Sequence, residues 1–330
     1  MPTAINILRG PTSSDNSVHL LTTPTHSSHR ELRLTITSDN MTAPLDWKET
    51  NRTIQILKAA EEGRYGVIAA IAYNIEQILG LVRAAQQARS PLIIQFFPWA
   101  IEFSDGLLVR TAADAASRCD VPIAIHMDHA QSEAIIRRAA DTLPFDSIMV
   151  DMSHYDKEVN LARTAGLVAY CNARRIATEA EPGRIEGGED GVMDTAGLEA
   201  CKTTPEEVDE FVATGVDALA PAFGNVHGEY GPSGPQLDFK RFAQIRGQSR
   251  GRVRLVLHGT NGFEPELLKR CVAAGVTKIN VNRLVLDDYY EHFHARAGKV
   301  PHTKLIEEGI EKVTSLTMRW MEICGSAGKA

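Results

Sequence analysis

Residues 65–99 read YGVIAAIAYNIEQILGLVRAAQQARSPLIIQFFPW. The stretch opens with an apolar, β-prone run (65–73), passes through a segment with apolar residues at three- and four-residue spacing (74–89), and returns to a second apolar run (91–99). This is one strand, one amphipathic helix and one strand, with both strands apolar on successive residues and therefore buried on both faces. The unit then repeats. Further strand-like runs are VPIAIHMD (121–128), DSIMVDMS (146–153), RIATEAE (175–181), DALAPAFG (217–224), VRLVLHG (253–259) and TKINVN (277–282), each bounded by Gly, Pro, Asp or a polar turn. Between them lie helical patterns such as DGLLVRTAADAASRC (105–119), SEAIIRRAADTL (132–143) and PEEVDEFVATG (205–215). Eight alternations predict a parallel (β/α)8 barrel, the TIM-barrel fold. A doubly wound open sheet is the competing reading, but the usual G-x-G-x-x-G after its first strand is missing.

A helical stretch at 46–63 precedes the first strand, LVLDDYYEHFHARAG (284–298) reads as the closing helix, and residues 302–325 read as a further helix. The chain therefore divides into a leader (1–45), a barrel (46–298) and a C-terminal helical extension (299–330). The leader is rich in Ser and Thr, shows no sustained period and is expected to be disordered. It carries only Arg9, Arg30 and Arg33 as basic groups for an organelle-targeting role, and Met41 offers an alternative start.

The 35 basic and 42 acidic side chains give a net charge of −7. Scattered basic residues under a net acidic balance exclude a general nucleic-acid binder. No apolar run approaches the ~20 residues of a spanning helix, and no secretory signal opens the chain. A soluble, cytoplasmic protein is expected, with an organelle as the alternative if residues 1–44 direct it there. The five cysteines (Cys119, Cys171, Cys201, Cys271, Cys324) are widely spaced and never form C-x-x-C, so any metal must be held mainly by His and carboxylates.

Barrel enzymes place their chemistry at the carboxyl ends of the strands. Here those ends carry His126-Met127-Asp128-His129, Asp151-Met152-Ser153-His154, Glu179-Ala180-Glu181, Asn225-Val226-His227-Gly228 and His258-Gly259. His129, His227 and His258 can supply three nitrogens to a zinc ion and leave one position open, the arrangement of a catalytic rather than structural site. Taken singly, each is equally readable as a hydrogen-bonded histidine at a strand end. Asp128 can move a hydroxyl proton or orient the imidazoles. Asp151 and Glu181 can bind a metal or support its ligands. The loop EPGRIEGGEDG (181–191) can carry Glu189 over a substrate as a mobile base, or be a solvated turn. GTNG (259–262), with Asn261, and NVN (280–282), with Asn280 and Asn282, sit where barrels bind phosphate through backbone N–H groups; Gly228 and Gly259 add amides, and Arg283 offers a charge.

Together these motifs resemble those of the class II, metal-dependent fructose-1,6-bisphosphate aldolase family over residues 65–330. HMDHA (126–130), DSIMVDMSH (146–154), EAEPG (179–183) with GGED (187–190), NVHGEYGP (225–232), LVLHGTNG (255–262) and KINVN (278–282) occur in the family's order, and GSAGKA (325–330) is similar to its ending. The resemblance implies zinc on His129, His227 and His258, with an alternative metal position near Asp151 and Glu181. It implies Asp128 as the acid/base at the cleaved hydroxyl and Glu189 as the residue that handles the carbon-bound proton. Carbanion and phosphate contacts would fall to Asn280, Gly228, Gly259, Asn282 and Asn74. It further implies a phosphorylated sugar substrate, fructose 1,6-bisphosphate before tagatose 1,6-bisphosphate or an unphosphorylated ketose, and a homo-oligomer of two or more subunits.

Four departures bear on substrate. Phe97 follows Gln95-Phe96 where many members have Ser, Asn261 replaces a serine, Arg283 replaces a threonine, and the family's lysine after the H-G-x-Y block is missing. The loop before Gly187 is also one residue longer. Two rival readings are a Schiff-base aldolase, for which Lys278 stands at the wrong end of strand eight, and a metal-binding homologue without catalysis, against which Asp128 and Glu189 argue.

Overall fold

A computed structural model describes residues 46–188 and 201–330. The expected leader 1–45 and Glu189 lie outside the described residues. Eight parallel strands close into a barrel in chain order: β1 (Val67–Ile71), β2 (Leu92–Phe96), β3 (Ile123–Ala130), β4 (Ser147–Val150), β5 (Ala177–Ala180), β6 (Ala218–Leu219), β7 (Arg254–Leu257) and β8 (Val276–Val281). Around them run α1 (Arg52–Gly63), α2 (Ile75–Ala88), α3 (Pro98–Ser104), α4 (Leu107–Ser117), α5 (Glu133–Thr142), α6 (Lys157–Asn172), α7 (Pro205–Val212), α8 (Phe239–Ser249), α9 (Pro265–Ala274), α10 (Arg283–Arg296) and α11 (His302–Cys324). The (β/α)8 expectation is met, and each strand coincides with its apolar run, β3 extending two residues beyond it and β8 beginning one residue before it.

Two-residue periodicity splits the strands' apolar side chains into two cores. Ile68, Ala70, Leu92, Ile94, Ile123, Ile125 and Ile148 face the helices. Val67, Ala69, Ile93, Ala124, Met149, Ala218 and Val256 fill the barrel interior with Ile56, Leu57 and Ala60 of α1. Helix α1 thus closes the amino end of the barrel. Asn51 fixes it there: its side chain caps α1 by accepting from Ile54 N at 3.1 Å, while its Nδ2 donates to the carbonyls of Asp146 and Arg175, just before β4 and β5. The same cap breaks the expected helix 46–63 into a short 3-10 turn (Trp47–Glu49) and α1. The carboxyl end of the barrel carries the mouth lined by Asp128, His129, His227 and His258.

Helix α3 was not expected from the sequence; Pro98 occupies its first turn, where the missing N–H costs nothing. The long α11 lies across α2 and α10. Gly80 of α2 permits the close approach, since a Cβ there would meet Val313 Cβ at 2.6 Å. Thr314 Oγ1 donates to the Gly80 carbonyl at 3.2 Å, and the amides of Gly328 and Ala330 donate to the carbonyls of Ala88 and Arg89. Among the described residues no helix is long and apolar enough to cross a membrane.

Candidate active site

The site begins with a fault in β3. Along this strand His126 and Asp128 face inward and Met127 outward, so His129 would point toward the helices. Instead the register against β4 shifts between Met127 and Ala130, and His129 adopts the left-handed backbone, φ 45°. The bulge re-aims the side chain, so Asp128 and His129 both face the barrel mouth. A non-glycine residue held there is strained by roughly 1–3 kcal/mol, which the surrounding packing must offset. The strand does not end at Asp128 as the sequence suggests; it runs through the bulge to Ala130.

His227 follows β6, its backbone N–H donating to Glu186 O at 2.8 Å. Gly187 packs on the same backbone so closely that a Cβ there would lie 2.2 Å from His227 O. His258 terminates β7. The imidazoles of His129, His227 and His258 converge: His258 Nδ1 lies 3.0 Å from His129 Nε2 and 3.4 Å from His227 Nε2. Zn–N bonds of about 2.0–2.1 Å at tetrahedral angles separate neighbouring ligand nitrogens by about 3.3–3.4 Å, so this donor set fits one small ion. All three residues are buried. Burial holds His227 and His258 well below the ordinary imidazole range, so both are neutral donors.

His129 is different. Burial pushes its pKa down, but Asp128, Asp151 and Glu181 together outweigh that and raise it to about 10. Its Nδ1 lies 2.8 Å from Asp151 Oδ2, leaving Nε2 for the ion. Asp151 Oδ1 accepts from Ser153 N and Oγ, at 3.1 and 2.6 Å, and these bonds with His129 draw the Asp151 carboxyl well below its usual range against the cost of burial. Glu181 accepts from Ile185 N at 2.7 Å through Oε1, while Oε2 is buried without a hydrogen-bond partner. Burial, then the Asp151 charge, lifts Glu181 to about 8. His129, Asp151 and Glu181 therefore form a second group able to hold a cation beside the first.

Asp128 lies next to the histidines and is 2 % exposed. Asn280 Nδ2 donates to its two carboxylate oxygens at 3.1 and 3.0 Å, and Gln95 Nε2 approaches Oδ2 at 3.3 Å. Gln95 carries no functional signal in the sequence beyond its polarity in an apolar strand. A cavity opens over these groups, lined also by Phe97, Gly259, Asn261 and Asn282. Gly228 and Gly259 take left-handed backbone, φ 79° and 67°, and Gly259 is fixed by contact: a Cβ there would sit 2.2 Å from Val226 O. Tyr230 joins the two loops, its hydroxyl accepting from Val226 N at 3.0 Å and donating to Gly259 O at 2.7 Å.

The remaining expected residues are placed differently. Asn74 caps α2, accepting from Gln77 N and donating to the Tyr289 hydroxyl, and is not among the residues lining the cavity. Asn282 lines it while donating to Tyr73 Oη at 3.0 Å. Arg283 pairs with Glu229 and with Asp287, so its charge is directed at neighbouring carboxylates. Lys278 faces the barrel interior beneath the histidines, completely buried against Glu179.

Residues 51–329 match the family described as fructose-bisphosphate aldolase class-II. A Coccidioides immitis (strain RS) protein whose fructose-bisphosphate aldolase name is provisional is 52% identical over 289 residues, 86% of this chain and 96% of that one. The crystal structure of a Coccidioides immitis protein, provisionally named a fructose-1,6-bisphosphate aldolase, matches with a TM-score of 0.84 over 85% of this chain and 98% of the other, at 53% identity. The fructose-bisphosphate aldolase of Geobacillus stearothermophilus is 32% identical over 287 residues, 84% of this chain and 97% of that protein. The YdjI aldolase of Escherichia coli K12 matches with a TM-score of 0.73 and 29% identity over 84% of this chain and 97% of its own. With the barrel, the histidine triad and these matches in agreement, the chain belongs to the class II fructose-bisphosphate aldolase family, a family of lyases.

Proposed function

We propose that the protein is a zinc-dependent aldolase that reversibly cleaves a ketose bisphosphate, fructose 1,6-bisphosphate first, to dihydroxyacetone phosphate and an aldehyde. The observation that carries this reading is the convergence of the His129, His227 and His258 nitrogens beside the Asp128 carboxylate. A zinc ion held by the three histidines would polarise the substrate carbonyl. Asp128 takes the proton of the hydroxyl on the carbon that leaves as the aldehyde, and the electron pair of the broken C–C bond stays on the adjoining carbon. Glu189 then delivers a proton to that carbon. Support for Glu189 comes from its neighbours, since Gly187 lies against His227 and Gly188 O lies 3.5 Å from a Cβ built on Gly228. Asn280 Nδ2 donates toward the reacting oxygens, and the backbone N–H groups at Gly228, Gly259 and Asn261 receive the phosphate, with Asn282 at the cavity edge. Asp151 and Glu181 hold His129 in register and offer the second cation position.

A second reading keeps the chemistry and changes the substrate to tagatose 1,6-bisphosphate or another ketose. It rests on Phe97 in the cavity wall and on Arg283 being engaged by Glu229 and Asp287. Assembly as a homo-oligomer rests on the family resemblance. Retro-aldol turnover of fructose 1,6-bisphosphate, tagatose 1,6-bisphosphate and an unphosphorylated ketose, with zinc supplied, separates the readings. Preferred cleavage of fructose 1,6-bisphosphate supports the first, and turnover in metal-free protein or a borohydride-trapped lysine adduct contradicts both.

A further inference from the structure

Lys278 is among the buried polar residues around the site that the proposed chemistry leaves unused. It is fully buried, its Nζ 2.9 Å from Glu179 Oε2 and 2.8 Å from Asn280 Oδ1. An ammonium can only donate, so Asn280 must present its oxygen to Lys278 and its NH2 to Asp128. The other oxygen of Glu179, Oε1, lies 2.9 Å from His258 Nε2. A carboxylate can only accept, so that nitrogen carries the proton and Nδ1 keeps its lone pair toward His129 and His227. The 3.1 Å approach of Asn280 Nδ2 to His258 Nε2 is then a contact between two donors, with the amide hydrogens given to Asp128.

We propose that Glu179 and Lys278 are positioning residues, a buried brace that selects the proton-bearing nitrogen of His258 and the amide orientation of Asn280. The inference rests on His258 being a metal ligand, the reading given above. It carries a specific consequence. In Glu179→Gln the side chain offers one acceptor in place of two. Lys278 takes it, because a buried ammonium left with Asn280 Oδ1 alone and no carboxylate is the costlier failure. The Gln NH2 then faces His258 Nε2 and forces the proton onto Nδ1, the atom that faces the metal. Removing the ammonium as well, in Lys278→Met/Glu179→Gln, frees the amide to turn its oxygen back to His258. A residue that merely balanced charge would not produce rescue in this order.

The test uses the full chain in three measurements. In metal-free wild type, ring 15N shifts of His258 are expected to report protonation at Nε2; protonation at Nδ1 overturns the proposal whether or not any variant folds. Zinc affinity by chelator competition is expected to fall roughly ten- to hundredfold in Glu179→Gln. The double variant is expected to recover most of that loss while keeping a lowered kcat at similar KM, because Asn280 remains untethered. Wild-type zinc affinity in Glu179→Gln, or a double variant that binds no better than the single one, overturns it. If wild type binds no zinc, the aldolase reading fails and the His258 shifts still judge the brace.

Discussion

Zinc binding should release protons, and the structure says which ones. In the metal-free site His129 is held protonated chiefly by Asp128 and Asp151, with a pKa raised to about 10, while burial keeps His227 and His258 neutral. An ion at the triad must displace the proton from His129. Glu181, raised to about 8 by burial and by Asp151, holds a second proton that an adjoining positive charge would drive off. Binding between pH 6.5 and 8.5 should therefore expel between one and two protons. Raising the pH removes the competitor, so affinity climbs with pH. One proton over two pH units is about a hundredfold, or about 2.7 kcal/mol at 1.36 kcal/mol per unit. Stability of the metal-free fold runs the opposite way. A histidine raised from 6.5 to about 10 stabilises the metal-free fold fully below pH 6.5, and that contribution is lost as pH rises through 10. Chelator-buffered zinc titrations at four pH values, with calorimetry in two buffers of different ionisation enthalpy, read both quantities. A slope below about half a proton across this window would refute the assignment of His129 as a protonated stand-in for the ion.

Three further outcomes follow from single contacts. Tyr230→Phe removes the hydroxyl that bridges Val226 N and Gly259 O; it should cost about 1–3 kcal/mol in denaturant unfolding and raise KM for phosphorylated substrates, because the two loops lose their tie. Gly259→Ala combines a left-handed backbone with a collision against Val226 O, and should lose at least about 2 kcal/mol of stability with most of its activity. Arg283→Ala breaks exposed pairs, so stability should move by less than about 1 kcal/mol and KM by less than about threefold; a tenfold rise in KM would mean that Arg283 reaches the substrate.

The barrel was legible because parallel strands buried on both faces leave an unmistakable trace: runs such as Leu92–Phe96 are apolar at every position until Gln95. Strand β6 was legible only through its neighbours, since Ala218–Leu219 is too short to show a period. The three histidines could be picked out because each terminates a strand, and a strand ending there lets His129 turn inward, yet the bulge that turns it could not be read. Alternation along β3 sends Asp128 and His129 to opposite faces, and a bulge is a tertiary bargain between strands that no local pattern reports. Helix α3 and the break at Asn51 were hidden for the same reason in smaller form, one behind a proline and the other behind a cap bonded to carbonyls about a hundred residues away. Arg283 and Lys278 show the limit most plainly. A charge beside a phosphate loop invites a binding role, and its ion pairs with Glu229 and Asp287 could not be read from the sequence. A lysine early in a barrel strand invites none, and its partners Glu179 and Asn280 place it under the reacting groups.

The most direct measurement is retro-aldol turnover of fructose 1,6-bisphosphate by metal-stripped protein as zinc is titrated back, run beside His227→Ala. The account predicts no turnover in the stripped protein, recovery that saturates at one zinc per chain, and no recovery in His227→Ala. Cleavage without metal, or a fully active His227→Ala, would contradict it.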